Sequence, residues 1–131
     1  MLLEISLWSF GISNREIMRD FRKLEVWHEA ISLVELIYKL TNEFPNSERF
    51  NLISQMQRCS VSIPSNLAEG ASRDSSKEFS RYLQIAIGSS FELETQLIIS
   101  NRLGYIKESK DLLDIINRLQ RRLNALNKSI K

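Results

Sequence analysis

The chain has 131 residues, 43% of them hydrophobic and 26% charged, which fits one soluble domain with a real core and argues against disorder. Its one cysteine, Cys59, excludes an intrachain disulfide, and no apolar run approaches the ~20 residues that a membrane-spanning helix needs. The net charge of +2 excludes little, but it is unevenly spread: residues 1–48 carry five basic and eight acidic groups, residues 49–114 eight of each, and residues 115–131 five basic groups and no acid.

Residues 1–17 differ in character from the remainder of the chain. They lack a basic start and place Glu4 ahead of the apolar stretch, so they make a poor signal peptide. We expect them to be an appended, poorly ordered extension, with a single domain over 18–131. The alternative is a short helix that packs Leu3, Leu7, Trp8 and Phe10 on a neighbour.

Four helices are predicted beyond residue 17. The first runs from about Leu24 to Glu43, with Leu24, Trp27, Ala30, Ile31, Val34, Ile37 and Tyr38 at helical spacing. Leu33, Leu36 and Leu40 add a flanking stripe, wider than a bundle interior needs, which hints at a subunit interface. Pro45 stops the helix. The second starts after Asn46 or Ser47, with Glu48 in its first turn and a stripe of Leu52, Met56, Cys59, Ile63 and Leu67. Pro64 inside it should produce a kink, with nearby serines re-satisfying the backbone, and Gly70 is a left-handed C-cap candidate. The third opens on Ser75 and Glu78, spaced for a reciprocal capping box, and runs to about Asn101. Phe79, Leu83, Ala86, Ser90, Leu93 and Leu97 form its stripe, Ile87, Phe91 and Ile98 widen it, and Gly88-Ser89-Ser90 suits close approach of another helix. Leu103-Gly104-Tyr105 reads as its stop. The fourth, from about Ser109 to Ile130, has Leu112, Ile115, Ile116, Leu119, Leu123, Leu126 and Ile130 on one side and Arg118, Arg121, Arg122 and Lys128 on the other. Short connections predict an all-α, antiparallel up-down-up-down four-helix bundle.

Several stretches resemble the four-helix-bundle proteins of the 23S ribosomal RNA intervening-sequence family. They are Asp20-Phe21-Arg22-Lys23-Leu24-Glu25-Val26-Trp27, Phe44-Pro45, Leu52 through Arg58 and, most specifically, Val61-Ser62-Ile63-Pro64-Ser65-Asn66-Leu67-Ala68-Glu69-Gly70. Lys77-Glu78-Phe79, Glu92 through Leu97 and Leu103-Gly104-Tyr105 continue the likeness in order. The resemblance implies a bundle that assembles into a ring, typically a pentamer. Some members are encoded inside intervening sequences of large-subunit ribosomal RNA genes. A related bundle, the accessory protein of diversity-generating retroelements, is a basic ring that binds nucleic acid. The resemblance implies no reaction.

The residues themselves point away from catalysis. Glu25-x-x-His28 lacks the second Glu-x-x-His that a di-metal bundle needs, and His28 is the only histidine. There is no serine elbow, no carboxylate pair on one face (Glu92 and Glu94 point apart) and no glycine-rich phosphate loop. We therefore expect no enzyme, no cofactor, no metal and no small-molecule substrate. Cys59 reads as a buried inert thiol that suits a reducing cytoplasm. Asn66 and Glu69 either form a polar site in the lumen or tie down the helix end beside Pro64. The candidate nucleic-acid contacts are Arg118, Arg121, Arg122 and Lys128 on the fourth helix, with Arg73 and Lys77 at the second turn. The bland alternatives are a solvated helix end and a turn balanced by Asp74 and Glu78. No aromatic residue accompanies the fourth-helix cations, so base stacking is not indicated there. Two functions are expected to compete: an electrostatic RNA- or DNA-binding homo-oligomer, and a protein-only scaffold or accessory subunit. No membrane partner is expected.

Overall fold

The structure is a computed structural model that describes residues 19–130, so the expectation for residues 1–17 lies outside the described residues. Among those residues all regular structure is helical: α1 (Glu25–Thr41), α2 (Leu52–Ala71), α3 (Ser76–Arg102) and α4 (Lys110–Ser129), with short 3-10 turns at Phe21–Lys23 and Asn46–Glu48. Successive helices pack on one another, and α1 also meets α4. The contacts join opposite ends. Gly70 near the end of α2 lies against Phe79 at the start of α3, while Ser100 near the end of α3 reaches Met56 near the start of α2. Ser80 near the start of α3 donates to Asn127 near the end of α4 at 2.6 Å.

The predicted stripes of α2 and α3 are all buried. With Ile37 of α1 and Ile116, Leu119 and Leu123 of α4 they seal a single core, each large apolar side chain contributing about 1.5–3 kcal/mol. The face of α1 is rotated from expectation. Its buried line is Val26, Ala30, Leu33, Ile37 and Thr41, while Ile31 and Val34 are half-buried and Tyr38 is 46% exposed. The cause is that α1 touches both α2 and α4, so the middle of its apolar surface faces the core and both flanks are left at the edge.

The helix ends obey local chemistry. Ser75 Oγ accepts from the Glu78 amide at 3.1 Å, which supplies one half of the predicted capping box; the Glu78 carboxylate lies 4.0 Å from Arg81. After α3, Gly104 takes φ of 83°, the Tyr105 amide donates to Ser100 O at 2.9 Å and the Gly104 amide to Asn101 O at 3.0 Å, a complete Schellman ending. The start of α2 comes later than predicted. Pro45 leads into the 3-10 turn, and Glu48, ahead of the helix, still reaches its first turn by accepting from the Leu52 amide at 3.4 Å. The other Glu48 oxygen accepts from the Tyr105 hydroxyl at 2.9 Å, and that hydrogen bond is the main reason the phenol's pKa is raised.

One glycine expectation is corrected. Gly70 is not a left-handed cap, since α2 continues to Ala71 and Gly104 is the one described glycine with positive φ. A Cβ at Gly70 would lie 2.7 Å from Tyr82 Cβ and 2.9 Å from Phe79 Cδ1, so the missing side chain is what lets α2 and α3 meet. Of the Gly88-Ser89-Ser90 patch expected at a close helix approach, Gly88 itself has nothing within 4 Å of its would-be Cβ. The approach lies one residue on, where Ser89 Oγ is 2.9 Å from Ser62 Oγ and Ser89 O accepts from Cys59 Sγ at 3.0 Å. Pro64 is buried inside α2, and the helix runs on past it, with Asn66 Nδ2 donating to Ser62 O at 2.8 Å and to Ser62 Oγ at 2.9 Å.

Candidate nucleic-acid interface

The four cations of α4 do not share one environment. Arg122 reaches across to α1 and forms ion pairs with both Glu25, at 2.7 Å, and Glu29. The Glu25 hydrogen bond first, then the Glu29 charge, hold its guanidinium still more firmly protonated than usual. Arg118 lies 3.7 Å from Glu29. The expectation of a basic face without neutralising acids is therefore corrected for these two residues. Glu25 and Glu29 stand four apart on the α4-facing flank of α1, and their spacing matches that of Arg118 and Arg122 on α4. The acids that quench the arginines are distant in sequence, so inspection of α4 alone misses them.

Arg121 and Lys128 are exposed, and neither forms an ion pair among the described residues. They stand seven apart on α4, hence on one face about two turns long.

Arg73 is held by the fold. It donates to the Tyr82 hydroxyl at 2.8 Å and to Glu69 at 3.3 Å, and its guanidinium lies 5.0 Å from the centre of the Tyr82 ring. Its backbone oxygen accepts from Arg19 at 3.3 Å. Arg73 thus fastens the end of α2 to α3, and Glu69 is its partner in place of Asp74 and Glu78. Glu69 thus serves the helix end, and Asn66 is tied to Ser62 in the turn around Pro64, so each has a partner within its own chain.

Lys77 is exposed at the start of α3. It lines an open hollow of about 560 Å³ with Ser76, Ser80, Arg81 and Gln84. The Ser80–Asn127 hydrogen bond puts the end of α4 beside this hollow, so Lys128 belongs to the same end of the molecule. Of the six predicted contacts, Lys77, Arg121 and Lys128 present their charge to solvent, joined by Arg81, whose contact with Glu78 is loose and exposed.

The groups considered for chemistry have structural partners. His28 Nε2 lies 2.7 Å from the Arg22 carbonyl oxygen, which can only accept, so that nitrogen carries a proton, and the ring stands edge-on to Trp27. Its companion Glu25 is engaged by Arg122. Burial pushes the Cys59 thiol up to about 12, with Glu92 adding to the shift. Glu94 accepts from Gln120 at 2.9 Å. Among the described residues no three His, Cys, Asp or Glu side chains are grouped to hold a metal ion, and no helix is long and apolar enough to cross a membrane.

One exposed group escaped the sequence reading. Phe50, between Pro45 and α2, is 87% exposed, and Arg49 lies beside its ring, 5.7 Å from guanidinium carbon to ring centre. Its only signal in the sequence is an aromatic residue outside any apolar period. No curated protein matches the chain. A sequence model of the family described as 23S rRNA-intervening sequence protein matches residues 22–125, from the turn before α1 into the last turns of α4, and the chain belongs to that family.

Proposed function

We propose that the chain is a non-enzymatic, self-assembling binding module of the cytoplasm, an up-down-up-down bundle whose copies join in a ring and attract nucleic-acid phosphates. The end-to-end contacts between successive helices support the up-down order. Self-assembly is supported by apolar side chains that one copy leaves uncovered: Phe91, 55% exposed, and Ile98 on α3, with Leu36 and Ile115 across α1 and α4. The pentameric number rests on the family alone.

The observation that carries the binding reading is the cluster of exposed cations where the start of α3 meets the end of α4: Lys77, Lys128 and, two turns back, Arg121, with Arg81 beside them in a loose, exposed contact with Glu78. A single exposed charge contributes only ~1 kcal/mol at close range in water. Binding therefore depends on many charges acting together, which a ring would supply by repeating the cluster in every copy. Contacts of this kind fix a backbone and carry little sequence preference.

The test is binding of the purified protein to RNA and DNA across a salt series, with its mass in solution read alongside. Affinity should fall steeply with salt, and reversing Lys77, Arg81, Arg121 and Lys128 to Glu should abolish it without changing the mass. Assembly with no binding to either nucleic acid would overturn this reading in favour of a protein-only scaffold or accessory subunit.

A further inference from the structure

We propose that the Phe50 ring is a stacking platform for an unpaired nucleobase of a single strand, with Arg49 and Arg58 beside it to receive phosphates. The proposal rests on the nucleic-acid reading of this chain and gives it an aromatic contact that the α4 cations lack.

Phe50 is displayed on ordered backbone. The Arg49 amide donates to Asn46 O at 3.1 Å and the Asn51 amide to Glu48 O at 3.0 Å. Glu48 is held by the Tyr105 hydroxyl, and Leu52, two residues after the ring, is buried. The backbone that carries the ring is therefore held on both sides, while the ring itself is 87% exposed and the core closes without it. The Arg49 guanidinium lies over the ring, 5.7 Å from its centre, and the 87% exposure leaves the rest of the ring open to a base.

Two hollows share Phe50 and Ser54 as walls. The first, about 530 Å³, includes Asn42, Asn46, Arg49 and Gln57; the second, about 480 Å³, includes Gln55, Arg58, Ser62 and Glu92. Each falls in the size range of small-ligand sites. Amides read base edges in both donor and acceptor senses, and Glu92 suits an exocyclic amine while turning phosphates toward the arginines. Among the described residues the side chains of Asn42, Asn46, Gln55, Arg58 and Glu92 form no hydrogen bond with another residue, so their polar groups are available. A second copy that buried Phe50 at the core of an interface would be expected to surround it with more apolar groups than the ordinary surface carries. The uncovered apolar groups Phe91, Ile98, Leu36 and Ile115 are not among the walls of these hollows, where amide, hydroxyl and charged groups predominate beside Phe50.

The experiment uses the full chain, a single-stranded oligonucleotide carrying 2-aminopurine, the matching duplex, and free 2-aminopurine nucleotide. Binding should quench the fluorescence of the single strand. Phe50→Leu should remove the quench and weaken single-strand binding roughly tenfold or more, while Phe50→Trp preserves both and duplex binding is unchanged. Salt-sensitive strand binding that Phe50→Leu leaves intact, quench included, would overturn the platform and spare the electrostatic reading. No strand binding by the wild-type chain would sink both. Phe50-dependent quenching of the free nucleotide as strong as that of the strand would reassign the ligand. A Phe50→Leu protein that binds less because its mass has fallen to that of one chain would make the ring a subunit contact and overturn the proposal.

Discussion

Replacing Gly70 by alanine should destabilise the protein, whereas the same change at Gly88 should stabilise it. Both glycines lie inside helices and neither has positive φ, so backbone strain is the same for each. Alanine is favoured over glycine in a helix by up to about 1 kcal/mol. At Gly88 that gain stands alone, because a Cβ there meets nothing within 4 Å. At Gly70 the new Cβ would sit 2.7 Å from Tyr82 Cβ, 2.9 Å from Phe79 Cδ1 and 3.3 Å from Phe79 O. Carbon atoms rest at about 3.5–4.0 Å, so the overlap is on the order of 1 Å. Tyr82 Cβ is fixed to its backbone and no rotamer change moves it, so α2 and α3 must part. Overpacking of this kind costs about 1–3 kcal/mol, which outweighs the propensity gain by up to roughly 2 kcal/mol. At about 4 °C per kcal/mol, Gly70→Ala should melt up to roughly 8 °C below wild type and Gly88→Ala about 2–4 °C above it. Far-ultraviolet circular dichroism melts at one common, low protein concentration make the comparison, since assembly links Tm to concentration. A Gly70→Ala protein that melts with or above Gly88→Ala would refute the claim that Gly70 exists to let the helices touch.

The other predictions come from side-chain environments. Cys59 should resist alkylating reagents in the folded protein at neutral pH and react once the chain is unfolded, as mass spectrometry would show. Its ordinary pKa is 9.0 and the folded value is pushed up to about 12, so the stability gained by keeping it protonated is complete below pH 9 and is lost as pH rises from 9 toward 12. Denaturant melts across that interval should show falling stability, and a Cys59→Ser variant should fall less steeply. Arg122→Met should lower Tm by leaving Glu25 unpaired and Glu29 with only its longer contact to Arg118, while Arg121→Met should leave Tm unchanged and weaken nucleic-acid binding; equal Tm for the two variants would contradict their separate roles.

Much of the fold was readable because its determinants are short-range. The stripes of α2 and α3 needed only helical periodicity. The start of α3 at Ser75 and its stop at Gly104 needed only the hydrogen-bonding habits of serine and the conformational freedom of glycine. The family likeness was carried by motifs from Asp20 onward, and the family match covers residues 22–125. Harder positions were those where two outcomes share one local pattern. Gly70 and Gly104 both sit near helix ends, yet one makes room for a neighbour and the other reverses the chain. The apolar flanks of α1 gave its width but not its centre, which depends on which two helices it meets.

The candidate site divides in the same way. The sequence by itself determined that basic residues gather on α4 and at the start of α3, that the chain has one histidine and one cysteine, and that four helices form among the described residues. Only the tertiary structure decided which of those charges remain available. Arg122 meets Glu25 and Glu29 across 97 and 93 residues, and Arg73 is taken by Glu69 and Tyr82, whereas Lys77, Arg121 and Lys128 stay in solvent. Helical periodicity places a side chain on a face of its own helix. Which groups lie opposite that face, and so whether its charge is quenched or open to a ligand, is set by packing between segments far apart in the chain.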